Sequence, residues 1–68
     1  MNNWTKVFED QQEIRALIVK GILEERGIAA FVINKKESVY QVIGTFDVLV
    51  PKDQTLFACQ LIQHEISF

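Results

Sequence analysis

The side chains able to do covalent or metal chemistry are few, since the sequence holds one histidine and one cysteine. His64 falls near the end of a predicted helix, where a partly protonated imidazole simply favours the negative end of the helix dipole. Catalysis would require an oriented partner within hydrogen-bond reach, and no spacing in the chain supplies one. Cys59 sits mid-helix between Ala58 and Gln60, without a second thiol for a redox pair or a metal site. It reads as a small packed side chain. Glu9, Asp10 and Glu13 offer oxygens to a hard cation, but Asp10 as helix N-cap with Glu13 three residues on accounts for two of them as a capping box. The turn Asn34-Lys35-Lys36-Glu37-Ser38, followed by Tyr40, presents a lysine pair to an anion. Asn34, Lys35, Lys36, Ser38 and Tyr40 are therefore a candidate binding set, a minor one because Glu37 offsets one charge. Gly27 and Gly44 lie too far apart to form a phosphate-binding loop. No catalytic residue, cofactor or metal is expected.

The elements that must position these groups follow from periodicity. Trp4 to Phe8 reads as a short strand. Ile14, Leu17, Ile18, Gly21 and Ile22 then follow the i, i+3, i+4, i+7, i+8 rule of an apolar helix stripe. Gly21 costs a helix interior roughly 1 kcal/mol relative to alanine, so its place on that stripe suggests close backbone approach to a neighbour, with plain tolerance as the alternative. Arg26 suits the end of the helix, and Gly27 can take the left-handed conformation that closes it. Ile28 to Ile33 is the second strand and Val39 to Val50 the third, with a bend at Gly44. Pro51-Lys52-Asp53 starts a second helix, capped by Asp53 and running to about His64 with Ala58, Leu61 and Ile62 inward. Ile66 to Phe68 completes the pattern as a last short strand. The order βαββαβ predicts an α+β, ferredoxin-like domain spanning residues 1–68. Its four-stranded antiparallel sheet would have strand order 4-1-3-2 and carry both helices on one face.

Six apolar residues run unbroken from Ile28 to Ile33, where a half-exposed strand would alternate apolar with polar. Splitting each strand into its two faces places Thr5, Val7, Ile28, Ala30, Val32, Phe46, Val48, Val50 and Ile66 beneath the helices. The opposite face receives Trp4, Lys6, Phe8, Ala29, Phe31, Ile33, Thr45, Asp47 and Leu49. Trp4, Phe8, Phe31, Ile33 and Leu49 then form one apolar patch with no helix to cover it. Such patches on small domains mark interfaces or binding sites, unless a connection such as residues 38–43 folds over them.

The totals fit this picture. Sixty-eight residues make one domain, and a chain of that size buries only about 60% of its unfolded surface, so association would add stability. A hydrophobic content of 49% argues for a folded domain, and a net charge of −2 gives no general attraction to nucleic acid or anionic lipid. No apolar run approaches a membrane span. Met1 leads into polar residues and Trp4, and the single cysteine suits a reducing compartment, so a cytoplasmic location is expected.

The stretch "LEERGIAAFVINKKESVY", followed by Gly44 and "DVLVPKDQ", resembles a family of short bacterial proteins of unknown function labelled signal-transducing proteins. Gly27-Ile28 at the helix end, the Asn34-Lys35-Lys36-Glu37-Ser38 turn before Tyr40, Val50-Pro51 and Ala58 carry the likeness, which extends over about residues 4–62. The resemblance implies a PII-like, ferredoxin-type fold and a signalling role. It transfers no catalytic residue. It implies no ATP site either, because the Asn34 to Gly44 connection is short and lacks a phosphate-binding set. The functional expectation is a non-catalytic regulatory module using its apolar sheet face for self-association or for docking a protein or small ligand. RNA-recognition-motif-like binding of single-stranded nucleic acid is the alternative. Nucleic acid is the less favoured partner, because Asp47 and Leu49 stand where stacking aromatics are expected.

Overall fold

The computed structural model describes residues 3–35 and 44–68. Along the chain come β1 (Trp4–Asp10), α1 (Glu13–Glu25), β2 (Phe31–Asn34), β3 (Phe46–Pro51), a single 3-10 turn at Lys52–Gln54, and α2 (Thr55–Glu65). The strands form one antiparallel sheet in the order β1-β3-β2, so β3 is central and pairs with both neighbours. Both helices pack on one side of it. Ala16, Val19 and Leu23 of α1 and Ala58 and Leu61 of α2 meet Ile28, Ala30, Phe46, Val48 and Val50 in a single core.

The architecture is thus α+β, with three strands among the described residues rather than four. Ile66, Ser67 and Phe68 form no strand. Three residues offer too few ladder hydrogen bonds to hold an edge. Side chains hold this tail instead: Phe68 lies 5.9 Å from the Phe8 ring, and the Arg15 guanidinium sits 5.0 Å above the Phe68 ring. The second strand begins at Phe31 rather than Ile28, and the third begins at Phe46. The expected start of the third strand at Val39 lies outside the described residues.

Helix α1 ends as its sequence requires. Gly27 has φ +82°, its N–H donates to the Glu24 carbonyl at 3.0 Å, and the Ile28 N–H donates to the Leu23 carbonyl at 3.0 Å. This is the paired hydrogen bonding of a Schellman motif, with buried Leu23 and Ile28 as its hydrophobic contact. At the other end the expected cap moves. Gln12 is the N-cap, without a side-chain cap bond. The Asp10 carboxylate instead accepts the Gln12 N–H at 2.8 Å and pairs with Arg15 at 3.4 Å, forming an Asx-type turn ahead of the helix. Asp53 likewise lies in the 3-10 turn, and Gln54 occupies the N-cap of α2.

The phase of α1 also differs from expectation. The residues turned to the sheet are Ala16, Val19 and Leu23, while Ile14, Leu17 and Ile18 are 60%, 46% and 42% exposed. Apolar residues nearly encircle this helix, so two stripes compete for the sheet. The one containing Ala16 lets the helix backbone lie closer. Gly21 belongs to the outward stripe, and among the described residues nothing beyond its own helix backbone lies within 4 Å of where its Cβ would be. No close approach among the described residues accounts for this glycine, which leaves plain tolerance as the other expected reading.

Candidate functional site

The face of the sheet away from the helices holds most of the predicted patch. Residues on β3 alternate: Phe46, Val48 and Val50 enter the core, so Asp47 and Leu49 point the other way. Phe31 pairs with Leu49 and Ile33 with Asp47 across β2, while Lys6 pairs with Leu49 and Trp4 with Pro51 across β1. The Trp4 and Phe31 rings meet edge to face with centroids 5.1 Å apart, spanning the central strand. Phe31 is 51% exposed, and Trp4, Ile33 and Leu49 are half-buried. Four of the five predicted patch residues thus share one surface.

Phe8 does not join them. The register of β1 slips between Lys6 and Phe8, so that Phe8 opposes Val48 and packs against the core. A one-residue bulge at Val7 reverses the alternation downstream, which carries Phe8 to the helix side and Glu9 to the open side. Strict alternation from Trp4 cannot reveal such a slip.

Beside the apolar end of this face lies a charged one, centred on Asp47. This carboxylate is only 2% exposed, although it belongs to the face without helices. Lys35 Nζ lies 2.7 Å from its Oδ2, and the Thr45 hydroxyl donates to Oδ1 at 3.1 Å. Glu9 and Ile33 are its cross-strand neighbours. Lys6 hydrogen-bonds Glu9 at 3.1 Å; that bond first, and then the field of Asp47, holds its ammonium above the ordinary lysine value of 10.5. Lys35 of the candidate anion turn is therefore committed to an anion of its own chain. Asn34 is exposed, and Lys36, Ser38 and Tyr40 lie outside the described residues. The possible cover by residues 38–43 also falls outside them.

No family model matches the chain, and neither does any curated protein or solved structure. The site is thus read from its own geometry. Among the described residues no group of three or more His, Cys, Asp or Glu is placed to hold a metal ion. His64 is exposed in the last turn of α2. Cys59, expected to be packed, is exposed. It lies one position beyond the inward Ala58, and a 100° step carries a helical side chain off the buried face. On this surface a ridge of aromatic and aliphatic side chains adjoins a neutralised cluster of Lys6, Glu9, Lys35 and Asp47.

A second apolar surface was missed by sequence reasoning. Most of the strongly exposed large apolar side chains lie in the helix layer and the tail after it. They comprise Ile14, Leu17 and Ile18, with Leu56, Phe57 and Phe68. The signal was present in the sequence, since α1 carries more apolar positions than one stripe can use. Among the described residues no helix is long and apolar enough to cross a membrane.

Proposed function

We propose that the chain is a small non-catalytic binding module that docks a protein through the open sheet face. The aromatic pair Trp4–Phe31, with Leu49 between β1 and β2, is the observation that carries this reading. Aromatic side chains bury large areas at low entropic cost and dominate binding energy at the centre of protein interfaces. The neighbouring charges are already paired within the chain, which disfavours a strongly charged ligand. A phosphate backbone would meet Asp47 and Glu9 on this face, and the central strand offers no aromatic to stack a base, so nucleic acid is the weaker reading. The strand order β1-β3-β2 with helices on one side supports a ferredoxin-like arrangement lacking its fourth strand. A regulatory role would suit the small signal-transducing proteins the sequence resembles.

The test compares proteins retained from native lysate by immobilised wild type, Phe31→Asp and Trp4→Ser. Wild type should retain a defined partner, and each variant should bind it at least about tenfold more weakly while keeping the wild-type far-UV circular dichroism. Equal retention by all three would overturn the reading.

A further inference from the structure

The outward stripe of α1 is a second, independent surface, and we infer that it is the contact through which two copies of this chain pair, their α1 helices antiparallel. At 3.6 residues per turn, Ile14, Leu17, Ile18 and Gly21 fall on the side of α1 opposite Ala16, Val19 and Leu23. Their spacing is the alternating three-and-four spacing by which one helix packs on another. Three of the four are large apolar residues at least 42% exposed, and the fourth is a glycine in a helix interior. Among the described residues, nothing beyond the helix's own backbone occupies the space above that glycine. A helix retains such a residue at a cost, and no contact among the described residues repays it.

The second copy is favoured over other occupants by shape, charge and size. Each α1 offers a bump at Leu17 and Ile18 and a hollow at Gly21, one turn apart. An antiparallel two-fold pair sets Ile18 of each copy over Gly21 of the other, satisfying both at once. A parallel pair would set hollow against hollow. The antiparallel arrangement also brings Arg15 of one copy, already paired with Asp10 of its own chain, to the level of Glu24 and Glu25 of the other, and it opposes the two helix dipoles favourably. Ile14, Leu17, Ile18 and Gly21 are uncharged, but Glu25 continues their stripe and falls at the level of Ile14 of the other copy, while Lys20 is tied to Glu24 at 3.1 Å within its own chain. The molecule is a slab with extents of 36 × 29 × 15 Å. Its helix-bearing broad side is thus on the order of 1,000 Å², an upper bound for a contact along α1 and its surroundings, against the roughly 800 Å² per partner that a stable interface buries.

Gly21 makes the test decisive, because its two roles predict opposite signs. The space at its Cβ is open in the single chain, so Gly21→Ala should raise the melting temperature at high dilution by roughly 4 °C through helix propensity. In sedimentation equilibrium the same change should weaken dimerisation about tenfold. Gly21→Leu and Ile18→Asp should abolish dimerisation, with wild-type far-UV circular dichroism confirming that both variants fold. Phe31→Asp should leave the dimer unchanged, which separates this interface from the sheet-face reading. A wild type that stays monomeric at about 100 µM, a concentration at which folded dimers are ordinarily populated, would overturn the inference. So would a dimer that Gly21→Leu leaves intact, or one that Phe31→Asp dissociates.

Discussion

A carboxylate on a sheet face that carries no helix ordinarily stays in water, and Asp47 does not. Its 2% exposure is tolerated because Lys35 supplies the opposite charge at 2.7 Å and Thr45 a hydroxyl donor at 3.1 Å. Removing one partner of a fully buried pair costs about 3–5 kcal/mol, because the remaining charge loses its compensation. Lys35 is itself 55% exposed, so water and salt already screen part of the interaction. Lys35→Met should therefore cost about 1–2 kcal/mol, read from the urea unfolding midpoint, and the deficit should shrink in about 1 M salt, where the Debye length is about 3 Å. Equal stability of the two proteins would mean that Asp47 is hydrated after all. Sequence alternation correctly put Asp47 on the open face. Its burial was not legible, because that depends on a lysine twelve residues upstream and on the neighbours that the strand register brings beside it.

At the scale of elements, two of the failures of sequence reading share a cause: local pattern fixes a period but not a phase. In α1, Ile14, Leu17, Ile18 and Ile22 make the bulkier stripe, yet the sheet takes Ala16, Val19 and Leu23. Ala16 and Ala58 are both fully buried, and small residues at these points let each helix lie near the sheet. Leu23→Ala should accordingly cost about 3 kcal/mol, within the range for buried leucines, whereas Ile14→Ala should cost under about 1 kcal/mol. Chemical denaturation at a concentration low enough to keep the chain monomeric measures both. The reverse ranking would restore the stripe read from the sequence. In β1 the slip at Val7 plays the same part, since one extra residue moves Phe8 from the open face into the core side. The capping glycine, the strand cores and the β1-β3-β2 part of the expected sheet order were legible because each rests on a residue type with only one favourable use, or on alternation uninterrupted by a bulge.

At the scale of the whole molecule, a slab 15 Å thick has one internal layer of side chains and two broad outer sides, both partly apolar here. Domains this small bury too little surface to be strongly stable alone, so any association they make feeds directly into their resistance to unfolding. If the copies pair through α1, the two open sheet faces remain outward, and the dimer presents two equivalent docking surfaces. Unfolding then releases two chains from one particle, which makes the melting temperature depend on protein concentration. For a dimer of this length a tenfold increase in concentration should raise it by about 5 °C. Wild type and Phe31→Asp should show the same slope, because Phe31 lies on the opposite side of the slab, while Gly21→Leu should melt at one temperature throughout. A wild-type melting temperature independent of concentration would separate folding from association. A slope removed by Phe31→Asp alone would move the dimer contact to the sheet.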